Sequence, residues 1–316
     1  MTDFVEKTTR KRKKWTRNDK QVYFMAMCGV AFLCVFAYLP MVGTLLAFKE
    51  GDRAIDIYQV LLTGKWCGFD NFANLLTDRK LTDIVINTLG LNLLLLVFNF
   101  PAPIIFALLI NEVTHLRYKK GIQTVSMFPH FISWTIFGAI IVALTDMTTG
   151  IFNPILEAIG LCSQENPINL GEAQYFWVEM IIASIVKGVG WGSIVYMAAI
   201  AGISPELYEA AQIDGANRFQ RAVKITIPMI APTITVFLLL QISKLLGNSY
   251  EQFYSMQNAI NLERSEVLAT YIYRKGFTQR RYSYAAALGL CESIISVLLL
   301  LFSNILSKKF TGRGVF

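Results

Sequence analysis

Three ionisable residues lie inside long apolar stretches of the chain, where a charge needs either a partner or a polar pathway. They are Lys187, Lys244 and Glu292. A charged side chain in lipid is costly, so it faces the protein interior, a cavity or an opposite charge. With about 1.5 Å of rise per helical residue, Lys187 and Glu292 come to a similar depth. We predict an ion pair between them, with Lys244 nearer the path of a solute; direct contact with a solute is the alternative.

Aromatic residues with polar neighbours occur in the same stretches. Trp134 adjoins Ser133, and Trp191 stands near Ser193. An aromatic face together with polar groups can bind a polar solute, so both tryptophans, Ser133 and Asn248 are candidates for a solute path. Packing against lipid or a neighbouring helix is the alternative for each tryptophan.

Catalysis by this chain is not predicted. His115 and His130, its two histidines, have no neighbour at ligand spacing, and no HExxH or CxxC motif for a metal occurs. The sequence also lacks a GxxxxGK[ST] phosphate loop, so ATP hydrolysis would have to occur on another chain. Cys67 and Cys162 are predicted on the same side of the membrane, where they could pair, although free thiols are the default expectation.

The composition indicates that lipid is the solvent. Hydrophobic residues make up 54% of the 316 residues and charged residues 16%, against roughly 45–50% and 25% in average soluble domains. Six stretches have the roughly 20 residues that a transmembrane helix needs. They are Val22–Phe48, Ile84–Ile110, Ile122–Leu144, Val178–Ala201, Met229–Tyr250 and Tyr284–Ser307. Backbone groups in lipid must be satisfied within their own segment, so the sequence predicts an all-α membrane protein with six transmembrane helices.

Lysine and arginine residues set the predicted orientation. They are dense before the first stretch and absent from Asp146–Trp177, so both termini are predicted to be cytoplasmic. The connection after the fifth stretch carries five basic residues and is assigned outside because the number of spans requires it. We expect a basic tail over residues 1–20, one membrane domain over 21–316, and short amphipathic helices in the outer connections Lys49–Asp83 and Asp146–Trp177. The basic residues behind the net charge of +7 lie largely beside the membrane stretches. Topology and anionic lipid explain them better than binding to nucleic acid does.

The predicted cytoplasmic connection between the fourth and fifth stretches contains strong helix signals. Ser204 and Pro205 are typical of a helix start, and Gly215 can adopt the left-handed conformation that ends a helix. The sequence therefore predicts a helix over Pro205–Asp214 and a second one over Ala216–Lys224.

The first of these helices has a face suited to close contact. Leu207, Ala210, Ala211 and Asp214 share it by their spacing, and the small alanines would let another surface approach. Pro228 is predicted to mark the boundary of the fifth span. An ordinary loop packed on its own helices is the alternative.

The same connection resembles a family signature. Permease subunits of binding-protein-dependent ABC importers carry Glu-Ala-Ala, three residues, Gly, nine residues and Ile-x-Leu-Pro. The chain has Glu209-Ala210-Ala211, then Gly215, then Ile225-Thr226-Ile227-Pro228, with Ile227 for leucine as the one departure. The resemblance implies the type I importer permease fold and a coupling helix at about 204–215.

In such a permease the coupling helix docks on an ATPase subunit. The resemblance implies that Glu209 pairs with a basic group there, that Ala210 and Ala211 supply the close contact, and that Gly215 supplies the turn. Asp214, Ile225 and Pro228 complete the implied coupling set.

The resemblance also implies partners and a location. The chain would form half of a translocation pathway in a prokaryotic cell membrane, beside a second permease subunit expected to be a different chain. Two nucleotide-binding ATPase subunits would hold ATP and Mg, and an extracytoplasmic solute-binding protein would deliver the solute. The chain itself would hold no cofactor.

Weaker resemblances point to the carbohydrate-uptake branch of these permeases. Trp66–Phe72 is similar to its Trp-x-Gly-x-x-Asn-Phe element, and Asn87–Leu89 to its Asn-Thr-Leu. Phe128–Trp134 and Gly312–Phe316 look like segments of the oligosaccharide-permease subgroup. They imply an oligosaccharide as the solute, and Lys244 would suit an acidic sugar.

A secondary transporter or channel for a polar solute, working without an ATPase, is the alternative function. It would predict inverted repeats and paired spans interrupted by Gly or Pro, which the sequence does not contain. A membrane enzyme would need a clustered acid, base or metal set, and the sequence does not contain one either.

Overall fold

A computed structural model describes residues 16–51, 56–163, 166–247 and 249–311. Within these ranges the regular structure is helical, with two isolated β-bridges and no sheet. The α-helices are α1 (Arg17–Leu33), α2 (Ile57–Thr63), α3 (Asp70–Thr77), α4 (Arg79–Asn99), α5 (Pro101–Asn111), α6 (Leu116–Met127), α7 (Trp134–Thr145), α8 (Phe152–Ala158), α9 (Ala173–Ala201), α10 (Pro205–Ile213), α11 (Arg218–Arg221), α12 (Ile227–Ser243), α13 (Tyr250–Tyr254), α14 (Leu262–Ser265), α15 (Leu268–Tyr273) and α16 (Tyr282–Thr311).

Five π-helical or 3-10 segments join or extend these helices. They are Cys34–Tyr38 and Leu39–Phe48 after α1, Phe128–Phe131 after α6, Ala222–Thr226 between α11 and α12, and Arg274–Thr278 after α15. The boundary predicted at residue 20 lies inside α1, which begins at Arg17 with Thr16 as its capping residue. The rest of that tail and the Gly312–Phe316 segment lie outside the described residues.

Five helical segments of the described chain are each long and apolar enough to cross a membrane. They are Arg17–Phe48, Arg79–Asn111, Ala173–Ala201, Arg218–Ser243 and Tyr282–Ile305. They correspond to the first, second, fourth, fifth and sixth predicted stretches. The third predicted stretch, Ile122–Leu144, is not one continuous helix: Leu116–Phe131 and Trp134–Thr145 meet at an angle of 99°. Counted as one broken span, this pair brings the number to six.

The bend of the third span has a local cause. Pro129 has no N–H to donate, and Ile132 takes an extended conformation with ψ near 134°. Ser133 then caps the new helix, its side chain accepting a hydrogen bond from the Ile136 N–H at 3.3 Å.

The fifth span ends earlier in the chain than predicted. It was expected to continue to Tyr250, but α12 ends at Ser243 and the chain turns at Lys244. The short helix α13 then packs back into the bundle, where Phe253 is completely buried in a cluster with Phe137 and Met180. Part of the connection after the fifth span is therefore core structure.

Two buried polar residues of α4 fasten this connection to the second span. Asn87 Nδ2 donates to the Glu263 carbonyl oxygen at 2.7 Å. Thr88 Oγ1 accepts a hydrogen bond from the Leu268 N–H at 2.9 Å. The Asn-Thr pair that resembles the carbohydrate branch thus positions the connection through main-chain contacts.

The first outer connection is fastened in a similar way. Buried Asn71 donates from Nδ2 to the Ala47 carbonyl at 2.9 Å and to the Lys49 carbonyl at 3.0 Å. The predicted short helices of the outer connections are present as α2, α3 and α8. Cys67 and Cys162 are both free thiols, so the alternative of a disulfide between them is wrong.

Candidate coupling surface and solute path

The predicted helix after the fourth span is α10, and its turn has the predicted conformation. Gly215 has φ of 79°, in the left-handed region that favours glycine. The expected side-chain cap by Ser204 does not form; the Leu207 N–H donates instead to the Ser204 main-chain carbonyl at 3.2 Å. The helix start is therefore stabilised by its own backbone and by Pro205 in the first turn.

The surface of α10 is open to a partner. Glu209, Ala210 and Asp214 are exposed, and Ala211 is half-buried. Ile213 is 88% exposed and Phe219, just beyond the turn, is 77% exposed. These two large apolar side chains are candidates for contact with a partner protein. The sequence interpretation missed Ile213 and Phe219, because it considered only the face that contains the alanines.

The second predicted helix is wrong in its extent. Asn217 and Gln220 form a capping box at the start of α11, and the helix then continues through a π-helical turn into α12. Pro228 does not break it, because the proline stands in the first turn of α12, where its missing N–H is tolerated. Half-buried Ile225 lies inside the π-helical turn.

Side-chain contacts hold α10 and α11 to the spans. The hydroxyls of Tyr208 and Thr226 are 2.9 Å apart, which connects α10 to the π-helical turn. Arg218 and Arg221 lie 3.6 Å and 4.0 Å from a carboxylate oxygen of Glu112, at the end of the second span. These contacts connect α10 to the fifth span and α11 to the end of the second span.

Lys187 does not pair with Glu292, and that prediction is wrong. Lys187 is 6% exposed, and its ammonium donates to the main-chain carbonyls of Pro129, His130 and Ile132. These carbonyls stand at the bend of the third span, where the regular helical donors are missing. Lys187 Nζ also lies 5.3 Å from the centroid of the Trp134 ring. Lys187 and Trp134 therefore stabilise the bend.

A second aromatic contact lies one helical turn further along α9. Trp191 stacks on His130 with ring centroids 4.5 Å apart and an interplanar angle of 1°. In α9, between Lys187 and Trp191, Gly190 approaches the Ser126 main chain so closely that a Cβ at this position would overlap it. Trp191 keeps 47% of its surface exposed, so it stays a candidate for solute contact.

Lys244 lines a polar cavity together with residues of the second and fifth spans. The cavity has a volume of about 200 Å³ and is polar along most of its wall. Its polar lining residues are Asn92, Asn99, Gln241, Lys244, Ser249 and Gln252. Polar side chains at membrane depth are rare and mark solute pathways. The four amide residues were missed in the sequence, although amides inside apolar stretches are a usable signal.

Glu292 stands close to this cavity. A Cβ at Gly247, which lines the cavity, would lie 3.6 Å from Glu292 Oε1. The predicted set is thus divided: Lys244 and Glu292 belong to the cavity region, while Lys187, Trp134 and Ser133 belong to the bend. Asn248 lies outside the described residues.

A hydrogen-bonded cluster lies at the predicted outer end of the second span. Asp78 Oδ2 accepts from the Tyr271 hydroxyl at 2.7 Å and from the Tyr284 hydroxyl at 2.6 Å. Burial favours a higher pKa for Asp78, but these hydrogen bonds outweigh it and hold the pKa below its usual value. Burial and the bond to Asp78 raise the pKa of Tyr271 to about 12.

A bundle of membrane helices with an exposed helix–turn–helix surface on one side and a polar cavity near the other is the architecture of a transport permease. A family model described as "Binding-protein-dependent transport system inner membrane component" matches residues 99–312. The chain belongs to this family, and it has the all-α type I permease fold of ABC importers.

Known proteins similar to the chain agree with this assignment. Protein LplB of Bacillus subtilis is 38% identical over 95% of this chain and 92% of its own length. The polygalacturonan/rhamnogalacturonan transport system permease protein YteP of Bacillus subtilis is 35% identical over 94% and 91%. A chain in the crystal structure of a bacterial ABC transporter involved in the import of the acidic polysaccharide alginate superposes with a TM-score of 0.83 at 36% identity, covering 93% of this chain and 97% of that one. The predicted likeness to carbohydrate permeases of bacterial membranes is confirmed.

Proposed function

We propose that this chain is the permease subunit of an ATP-driven importer of acidic oligosaccharides. The observation that carries the proposal is the polar cavity with Lys244 on its wall. Amide and hydroxyl groups there suit sugar hydroxyls, and the Lys244 ammonium suits a carboxylate. Galacturonan and alginate, named for two of the similar proteins, are built from uronic acids that carry such carboxylates.

The energy for transport comes from partner subunits. The sequence has no phosphate loop, so ATP and Mg are held by two separate nucleotide-binding subunits. These subunits dock on α10, where Glu209 faces a basic group, Ala210 and Ala211 allow close approach, and exposed Ile213 adds apolar area. Asp214, Ile225 and Pro228 belong to the same coupling segment. A second permease chain completes the pathway, and an extracytoplasmic binding protein delivers the sugar.

Deletion of the gene and uptake of labelled sugars test the proposed solute. The deletion strain should lose uptake of oligogalacturonate or oligoalginate and should retain uptake of a neutral oligosaccharide. In the complemented strain, Lys244→Gln should lower uptake of the acidic sugar roughly tenfold, the effect of losing one charged hydrogen bond. Lys65→Gln removes an exposed lysine of the first outer connection and is the matched control.

Two results would contradict the proposal. Unchanged acidic uptake in the deletion strain would exclude these solutes. Purification of the chain with transport activity but without any ATPase subunit would favour the secondary transporter or channel instead.

A further inference from the structure

Four aromatic side chains form a row in the connection after the fifth span. Tyr250 stacks with Tyr254 at a centroid distance of 4.7 Å and lies 4.3 Å from Tyr273. Tyr273 in turn stacks with Phe277 at 5.2 Å. We name Tyr250, Tyr254, Tyr273 and Phe277 the aromatic row. It runs over three separate elements of the fold, α13, α15 and the π-helical segment after α15.

One end of the row adjoins the polar cavity. Ser249 and Gln252, on either side of Tyr250 in the chain, both line that cavity. Gln252 is itself fixed, since its Nε2 donates to Ser184 Oγ at 2.9 Å. Half-buried Tyr250 does not itself line the cavity, but these two neighbours place it close to the cavity in the chain.

The other end of the row is open. Phe277 is 69% exposed, Tyr254 is 52% exposed and Tyr273 is 37% exposed. Arg280, exposed three residues beyond Phe277, adds a positive charge at this end. Exposure falls from Phe277 through Tyr273 to half-buried Tyr250, whereas Tyr254, stacked on Tyr250, stays 52% exposed.

Contacts of its helices with buried residues fix the position of the aromatic row. The helix α15 that carries Tyr273 begins at Leu268, whose N–H is bound by Thr88 of the second span. Phe253 of α13 is completely buried. A fixed row of rings costs little conformational entropy when a ligand binds to it.

We infer that the aromatic row is a binding site for the sugar rings of an oligosaccharide and that it guides this oligosaccharide into the polar cavity. This inference rests on the proposed function in taking an oligosaccharide as the solute. The apolar C–H faces of sugar rings pack on aromatic faces, while tyrosine hydroxyls bind sugar hydroxyls. Arg280 suits the carboxylate of a uronate. A lipid-facing aromatic belt would need neither the polar cavity lined by the neighbours of Tyr250 nor the positive charge of Arg280.

The test uses the complete complex with its partner permease, ATPase subunits and binding protein, in proteoliposomes. Uptake of digalacturonate and of a longer oligogalacturonate is measured for Tyr273→Leu and Phe277→Leu. Each variant should slow uptake of the longer sugar roughly two- to tenfold, the range of one lost ring contact, and should slow uptake of the disaccharide less. Tyr273→Phe keeps the ring and should stay within twofold of the parent protein.

Phe69→Leu is the matched control, because Phe69 is an aromatic residue of another outer connection and is 73% exposed. It should leave uptake of both sugars unchanged. ATPase stimulation by the loaded binding protein should also be unchanged in the row variants.

Three outcomes would overturn the inference. They are unchanged uptake of the longer sugar in both leucine variants, an equal loss for both sugar lengths, and loss of the partner permease on purification, which would make the row a subunit interface. If the parent complex imports only neutral oligosaccharides, the proposed acidic solute fails, and the same variants tested with a neutral sugar still decide the role of the row.

Discussion

The Lys187 ammonium in the fourth span donates a hydrogen bond of 3.1 Å to the Pro129 carbonyl oxygen at the bend of the third span. The carbonyls of His130 and Ile132 share the same donor. A helix end inside a membrane leaves carbonyls without donors, and water cannot supply them. A lysine side chain supplies three donors in one group. The bend is thus stabilised by a residue from a neighbouring span.

Replacing Lys187 should destabilise the protein. Lys187→Met keeps the side-chain length but leaves three main-chain acceptors without this donor, at a cost of at least about 2 kcal/mol. The midpoint of thermal unfolding of the purified complex should fall by several degrees. Lys244→Met removes another intramembrane lysine, at the cavity wall, and should leave the midpoint nearly unchanged. Equal midpoints for the two variants would contradict the role assigned to Lys187.

Substitutions at Gly215 should be tolerated only where the new residue can adopt a positive φ. Gly215→Val places a β-branched residue at φ of 79° and should cost about 1–2 kcal/mol or more. The helix α10 would lose its orientation, and ATPase subunits should bind roughly five- to thirtyfold more weakly in copurification titrations. Gly215→Asn tolerates this conformation and should retain binding. Loss of the ATPase from both variants alike would show that side-chain size, not backbone conformation, matters here.

The hydrogen bond between Thr88 and Leu268 offers a test of how the outer connection is held. Thr88→Val is nearly isosteric but leaves the buried Leu268 N–H unsatisfied, at a cost of about 1–3 kcal/mol. Hydrogen exchange over residues 263–273 should become faster. Thr77→Val, at an exposed threonine at the end of α3, is the control and should leave exchange in that segment unchanged. Unchanged exchange in Thr88→Val would mean that packing alone fixes the connection.

The Asp78 cluster predicts a pH dependence of stability. Its hydrogen bonds hold the folded-state pKa of Asp78 below the unfolded value, which is about 3.9. The stabilisation is therefore present above pH of about 4 and is lost as the pH falls through the lower folded-state pKa. Asp78→Asn should lower the unfolding midpoint at pH 7, and the difference from the parent protein should shrink on acidification. A difference that stays constant down to pH of about 3 would show that the carboxylate charge contributes nothing.

The sequence was sufficient for what depends on local pattern. Apolar length identifies the spans, because lipid forces helices on any such stretch. The helix over Pro205–Asp214 follows from its proline and glycine, whose backbone preferences act wherever they stand. The Ser204 side-chain cap does not form, because the Leu207 N–H donates to the Ser204 main-chain carbonyl, and a sequence pattern does not show which acceptor a donor selects.

The sequence was insufficient for contacts between distant spans. Lys187 and Glu292 have the right depth and opposite charge, yet three carbonyls at a bend compete for the lysine, and that bend was not predicted. Pro129 was the available signal for it. The cavity amides were overlooked for a related reason, since Asn92 and Gln252 are far apart in sequence and only the fold brings them to one cavity.

The unbroken helix from Arg218 to Ser243 has a mechanical consequence. At about 1.5 Å per residue, its 26 residues form a lever of roughly 39 Å. The N-terminal end of this helix lies beside Phe219 on the exposed α10–α11 surface, and its C-terminal end adjoins Lys244 at the cavity. A rotation of about 5° about one end would move the other by about 3 Å, the length of a hydrogen bond. If the cavity holds the proposed solute, a small rotation at the coupling surface would therefore suffice to change its contact with Lys244.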